Sequence, residues 1–214
     1  PLYKIKKGKQ EQYLKDDDAL NAYLTSIAVD NAALVTSEGA PGISGVALET
    51  LVKQYQTAEK MIKRMSRIMP IDILNKLVYS QVLNASDFTQ SAPLQSFADT
   101  LVAVMCEEET DGASYSAEII KDEEINKYYI AIIMRMHGID YTYKIDEDFV
   151  GSNEYAKIAE LNKSINGMMG EGAYIQRGER TKPVESFLEA LTWIMAEAKR
   201  GQYIQRYKGL GEMN

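Results

Sequence analysis

The sequence is poor in the residues that metal and thiol chemistry require. Its 214 residues include one cysteine and one histidine. One cysteine cannot form an internal disulfide, and one of each cannot complete a four-ligand zinc site. Cys106 ends the apolar run of residues 101–106, so we predict a core residue in a reducing, cytoplasmic compartment. His137 falls at a predicted turn with no acid, serine or cysteine partner implied by spacing, so we predict that it is exposed and not catalytic.

Long hydrophobic runs are also missing. No stretch approaches the ~18 consecutive apolar residues that a membrane span needs, and no charged start precedes an apolar signal region. We therefore expect no membrane partner. Hydrophobic residues make up 45% and charged residues 26% of the chain, which is typical of a globular protein with one or two domains. The chain begins at Pro1 and stops inside a motif, which we interpret as a segment of a larger protein.

The net charge of −7 is unevenly distributed. Residues 1–15 carry +4 and residues 176–214 carry +2, which leaves −13 on the 160 residues between them. This pattern favours a chain that binds nucleic acid at its ends and repels it elsewhere. The alternative is that the acidic surface simply keeps the protein in solution. Both interpretations can hold.

The first residues predict a β-hairpin with one apolar and one cationic face. Tyr3 and Ile5 alternate with Lys4 and Lys6, and Gly8 supplies the turn before residues 10–14 return. Lysines at such a hairpin can contact successive phosphates. They are equally typical of an exposed sheet edge that must not pair with another chain.

The middle of the chain predicts helices followed by strands. Asp16, Asp17 and Asp18 begin a helix; adjacent helix positions point in different directions, so we expect no metal there. His137-Gly138 is expected to form a tight turn between strands. From periodicity we predict a small hairpin over 26–29 and 32–36, helices over 44–69, 72–79 and from 93, three antiparallel strands over 115–120, 127–136 and 139–145, a helix over 152–168, a strand over 174–177, a basic loop over 177–183 and a helix over 184–199.

The last twelve residues combine a β-type run with cations and glycines. Arg206 and Lys208 flank Tyr207, and two glycines spaced by one residue follow. Such a segment can bring backbone and cations close to phosphate. It can equally be a strand end and a turn with solvated charges.

Two blocks of sequence carry a family resemblance. The segment Gln205-Arg-Tyr-Lys-Gly-Leu-Gly-Glu-Met-Asn214 resembles the block that follows the TOPRIM region in the B subunit of DNA gyrase, which is a type IIA topoisomerase. The opening Pro1-Leu-Tyr-Lys-Ile-Lys-Lys-Gly-Lys-Gln-Glu-Gln-Tyr13 resembles the end of that TOPRIM sheet. Arg177-Gly-Glu-Arg180 and Lys199-Arg200-Gly201 are also similar to that family. The residues between these flanks resemble the insertion domain found in many Gram-negative bacteria.

The resemblance implies an α+β fold with an inserted domain. We expect residues 1–25 to be the end of the TOPRIM region, residues 26–175 the insertion, and residues 176–214 a return helix and tail. Within the insertion we expect a helical lobe over about 44–106 and an antiparallel β-rich lobe over about 113–176. Partial TOPRIM strands from the two termini should meet in one cationic edge.

The resemblance also implies a role without chemistry of its own. In the family, the ATP site, the Mg²⁺-binding acids and the nucleophilic tyrosine lie outside this segment, so we expect no catalytic residue, metal site or cofactor here, with Mg²⁺ and ATP in the full-length protein. The implied partners are double-stranded DNA and the gyrase A subunit, in an A2B2 heterotetramer. The implied contacts with the DNA backbone are Lys4, Lys6, Lys7, Lys9, Arg206, Tyr207 and Lys208.

Three hypotheses of function follow. In the first, the segment supports gate-DNA binding and couples it to the gyrase A subunit and to ATP turnover, with the acidic insertion as a spacer or buttress. In the second, the middle is a protein-interaction module that recruits another factor and has no DNA role. The third is an unrecognised enzyme site, against which stand the isolated His137 and the inert Cys106.

Overall fold

A computed structural model describes residues 2–108, 112–209 and 211. Within them the chain forms seven α-helices and three antiparallel sheets, which confirms the α+β class. The strands are β1 Leu2–Lys7, β2 Gln10–Leu14, β3 Ala32–Val35, β4 Ile43–Ser44, β5 Ser114–Asp122, β6 Lys127–Met136, β7 Ile139–Ile145, β8 Tyr174–Arg177, β9 Arg180–Pro183 and β10 Tyr203–Tyr207. The helices are α1 Asp17–Val29, α2 Gly45–Met65, α3 Ile71–Leu77, α4 Ser91–Glu107, α5 Glu147–Val150, α6 Asn153–Ile165 and α7 Phe187–Lys199.

The chain divides into two compact units. Unit one contains Pro1–Lys53 and Gly167–Asn214, and unit two contains Gln54–Asn166. These bounds differ from the segments expected from the sequence. The helices of 71–107 and the strands of 114–145 share unit two, whereas residues 26–53 and 167–175, which were expected in the insertion, belong with the termini.

Unit one contains two sheets. One has the strand order β10-β1-β2 and is called the terminal sheet below, because the two ends of the chain supply its strands. β1 pairs with β2 through the turn at Gly8 and Lys9, and with β10 in the register Ile5 opposite Ile204. The expected meeting of the chain ends is therefore present. The other sheet has the order β4-β3-β8-β9, and α1 packs against α7.

Two local predictions in unit one are wrong. Residues 26–29 are the last turn of α1, whose buried side chains Leu24, Thr25, Ala28 and Val29 follow a helical spacing that a short apolar window mimics. Asn31, with φ of 57°, redirects the chain, so β3 pairs with β4 and β8 and not with the preceding segment. Residues 180–183 form β9 in a hairpin with β8, not a loop. This edge strand is polar and lacks the alternation that signals a strand.

Unit two is built on the sheet β5-β6-β7, called the inner sheet below, against which α4 packs. The three predicted strands are confirmed. His137 and Gly138 have φ of 52° and 78°, the left-handed pair that a two-residue hairpin turn requires. His137 is exposed, as predicted.

The prediction that Cys106 is a core residue is wrong. The side chain is exposed. The buried stripe of α4 ends at Met105, and the next position along a helix is rotated by about 100° away from it. An apolar run that ends a helix therefore need not be buried at every position.

Polar groups also hold unit two together. Asn162 is buried, and its Nδ2 donates to the carbonyl oxygens of Val78 and Ser80 at 2.6 and 2.8 Å. The buried Tyr155 hydroxyl accepts from the backbone N–H of Leu83 at 3.0 Å. These bonds tie α6 to the segment after α3, because a buried carbonyl left without a donor would be costly. Among the residues described, no helix combines the length and the apolarity that crossing a membrane would take.

Candidate nucleic-acid interface

The terminal sheet has two different faces. Tyr3 and Ile5 are 7% and 1% exposed, and the Tyr3 hydroxyl donates to the Asp17 carboxylate on α1. This hydrogen bond is the main reason that the pKa of the Tyr3 hydroxyl is raised, and burial raises it further. The side of the sheet that carries Tyr3 and Ile5 is therefore the helix face.

The opposite side, the open face, carries cations and tyrosines. Side chains alternate along a strand and directly paired residues share a side, so Lys4 and Lys6 point away from Tyr3 and Ile5. Tyr13 and Tyr203, at 53% and 63% exposure, are both on this side. The register places on the open face Leu2, Lys4 and Lys6 from β1, Glu11 and Tyr13 from β2, and Tyr203, Gln205 and Tyr207 from β10.

A carboxylate lies between the two lysines of the open face. Glu11 Oε2 is 3.0 Å from Lys4 Nζ, and Glu11 Oε1 is 3.8 Å from Lys6 Nζ. Lys4 Nζ is also 5.9 Å from the centre of the Tyr13 ring. The hydrogen bond with Glu11 raises the pKa of Lys4, so the ammonium stays charged at neutral pH. The open face therefore presents two lysines and one carboxylate.

The structure distributes the predicted DNA-contacting residues over several places. Lys4, Lys6 and Tyr207 share the open face. Arg206 lies opposite Tyr3 and therefore belongs to the helix face. Lys7 and Lys9 lie at the end of β1 and in the hairpin turn.

The expected single cationic edge is therefore not formed. Lys7 comes directly after Lys6, which pairs with Tyr203 at one end of the β1–β10 ladder. Lys208 comes directly after Tyr207, which pairs with Leu2 at the other end. Along the strand direction, the rise per residue separates Lys7 from Lys208 by roughly 20 Å. The chain ends meet, but their cations divide between two faces and two ends of the sheet.

Sequence reasoning missed five of the eight residues on the open face, among them Glu11, Tyr13 and Tyr203. Glu11 and Tyr13 could have been found, because a hairpin with a two-residue turn at Gly8 and Lys9 fixes which residues of β2 lie opposite Lys6 and Lys4. Tyr203 had no local signal, because its position beside Lys6 depends on pairing between the two ends of the chain.

A groove of about 920 Å³ is a second candidate site in unit one. Lys7 and Arg177 line it together with Asp30 and Glu49. An Arg177 terminal nitrogen donates to the Ile27 carbonyl at 3.2 Å. Two cations and two carboxylates cancel, so the groove has no electrostatic preference for an anion.

Two protein families match successive segments of this chain. Residues 1–29 match a family described as GyrB, hook, which includes the residues 1–25 that we interpreted as the end of a TOPRIM region. Residues 32–198 match the family described as DNA gyrase B subunit insert domain. The chain belongs to this family of DNA gyrase B subunits.

Individual relatives agree with this assignment. The chain is 28% identical over 214 residues to the DNA gyrase B subunit of Caulobacter vibrioides, covering 100% of this chain and 25% of the relative. It is 29% identical over 216 residues to the DNA gyrase B subunit of Rickettsia felis, covering 100% and 26%. The corresponding protein of Myxococcus xanthus is 26% identical over 230 residues, covering 99% and 26%. The chain thus spans about a quarter of the length of these relatives.

Proposed function

We propose that this chain is a non-catalytic part of a DNA gyrase B subunit that helps to hold double-stranded DNA. The whole enzyme would be the ATP-dependent type II topoisomerase that negatively supercoils DNA, acting in the cytoplasm together with the gyrase A subunit. The observation that carries the proposal is the register of the terminal sheet. It joins Lys4, Lys6 and Tyr207, from opposite ends of the chain, on one exposed face.

The chemistry of the open face suits a nucleic-acid backbone. Lysines contact phosphates and displace condensed counterions, whereas tyrosine hydroxyls donate to phosphate or sugar oxygens. These contacts position a duplex without reading its sequence. We therefore expect binding with little sequence preference and a strong dependence on salt.

The distribution of charge favours unit one as the DNA-binding part. Unit one contains 13 cations and 13 carboxylates, whereas unit two contains 11 cations and 18 carboxylates. All of the net charge of −7 therefore belongs to unit two, which would repel phosphate. We infer a supporting role for unit two, as a buttress that links DNA binding to the gyrase A subunit and to ATP turnover.

The test is a double substitution on the open face, Lys4→Gln with Lys6→Gln. Two lost phosphate contacts should weaken binding of a short duplex about tenfold or more at moderate salt, and should reduce the slope of log affinity against log salt by about 2. Fluorescence anisotropy over a salt series measures both quantities.

The matched control is Lys121→Gln with Lys157→Gln in unit two. It removes the same charge from exposed ion pairs with Glu123 and Glu160, and we expect little change in DNA affinity. Equal losses in both variants would point to total charge and not to the open face. No loss in either variant, or no binding by the unaltered chain, would favour the protein-interaction hypothesis.

A further inference from the structure

We propose that Lys4 and Lys6 form a phosphate-binding site that Glu11 fills when DNA is absent, so that Glu11 limits the affinity for DNA. This inference rests on the proposed function. It assigns a role to Glu11, a residue of β2. The excess of positive charge at the chain ends does not predict this role.

The geometry resembles the binding of an anion by two cations. Each oxygen of the Glu11 carboxylate faces a different ammonium, at 3.0 Å for Lys4 and 3.8 Å for Lys6. A phosphate has the same feature, because its non-bridging oxygens can be shared between neighbouring cations. Glu11 lies directly across from Lys6 in the register, so the backbone places its carboxylate at this position.

The contact is weak enough to be displaced. The three side chains are 25%, 53% and 42% exposed for Lys4, Lys6 and Glu11. Ion pairs at this exposure contribute little to stability, because water and salt screen them. A duplex offers many phosphates and releases counterions on binding, so it can compete for the lysines.

Displacement does not remove the carboxylate from the open face. Glu11 remains on β2 beside Lys6, where it repels an incoming phosphate. The carboxylate would therefore lower the affinity for DNA both by holding the lysines and by repulsion. The expected result is a site that binds DNA reversibly and responds to salt less steeply than two unpaired lysines would.

The experiment is Glu11→Gln in the complete chain, with a short duplex as the probe. Glutamine keeps the size and removes the charge. We expect binding to tighten about three- to tenfold and the salt slope to steepen by about 1, as one more phosphate contact would produce. The control is Glu171→Gln, which makes the same charge change in unit one outside the terminal sheet and should change the affinity less than about twofold.

A second pair of variants separates a local from a general effect. Glu11→Gln should give a clearly smaller gain in the Lys4→Gln, Lys6→Gln background, because the lysines that it releases are missing and only the repulsion of phosphate is removed. An equal gain in both backgrounds, or an equal gain from Glu171→Gln, would overturn the role of Glu11 and leave the proposed function intact. If the lysine variants bind DNA normally, the proposed function itself fails.

Discussion

The terminal sheet and the inner sheet share a strand count and a pairing mode but are built in opposite ways. Both have three antiparallel strands. The inner sheet joins β5, β6 and β7, which follow one another in the chain. The terminal sheet joins β1 and β2 to β10, which is almost two hundred residues away in sequence. The inner sheet therefore depends on local contacts, and the terminal sheet depends on closure of the whole chain.

The central strands of the two sheets differ in burial. In β6, the consecutive residues Ile130, Ala131 and Ile132 are 0%, 3% and 2% exposed, so both faces are covered. In β1, the buried Tyr3 and Ile5 alternate with lysines. Residues that are buried on both sides of a strand contribute to stability and cannot contact a partner. A sheet with one exposed, charged face can also bind a partner, and the comparison therefore predicts that stability and DNA binding can be changed separately.

The largest effect is expected from Ile130→Ala in the inner sheet. This side chain is fully buried, and a cavity of this kind lowers the free energy of unfolding by about 2–5 kcal/mol. The DNA affinity of the folded fraction should not change, because the residue belongs to unit two. Urea unfolding followed by circular dichroism measures the loss. Ile125→Ala, at an exposed isoleucine of the same unit, should cost no more than about 0.5 kcal/mol; similar losses in the two variants would contradict the comparison.

An intermediate effect is expected at the two hairpin turns. Gly8 and Gly138 have φ of 61° and 78°, and a Cβ added at either would meet no atom within 4 Å. Alanine at either position should therefore cost only the strain of the left-handed backbone, about 1–2 kcal/mol. Only Gly8→Ala should also weaken DNA binding, because Gly8 separates Lys7 and Lys9. Unfolding curves and DNA titrations of both variants test this. A loss of DNA affinity in Gly138→Ala would contradict the assignment of DNA binding to the terminal sheet alone.

The smallest effect is expected from an ion pair of the inner sheet. The Arg135 guanidinium donates to both carboxylate oxygens of Asp140 at 2.6 and 2.8 Å, and this hydrogen bonding lowers the pKa of Asp140. A lowered folded-state pKa gives stability that is present above the pKa of the unfolded chain and is lost as the pH falls through the folded value. Asp140→Asn should therefore reduce the acid sensitivity of unfolding slightly. Thermal unfolding from about pH 5 to about pH 2 measures this, and an unchanged pH profile would show that the pair contributes nothing.

The elements most accessible to sequence reasoning were those with local pairing. The hairpin of β1 and β2 and the three strands of the inner sheet were predicted, because alternation and turn residues act over a few positions. The polar strand β9 and the last turn of α1 were missed, because their patterns are ambiguous in a short window. Of the candidate interface, Lys4, Lys6 and Tyr207 were predicted and lie together, whereas Arg206 lies on the other face.

The sequence by itself determined the β1–β2 hairpin, the inner sheet and the basic ends of the chain, since each depends on residues close together in the chain. Only the tertiary structure decided which side of the terminal sheet each side chain takes. A strand presents alternate residues to opposite faces, so a shift of one residue in the pairing of β1 with β10 would exchange Arg206 for Tyr207. That register depends on contacts between the two ends of the chain, and no local pattern specifies it.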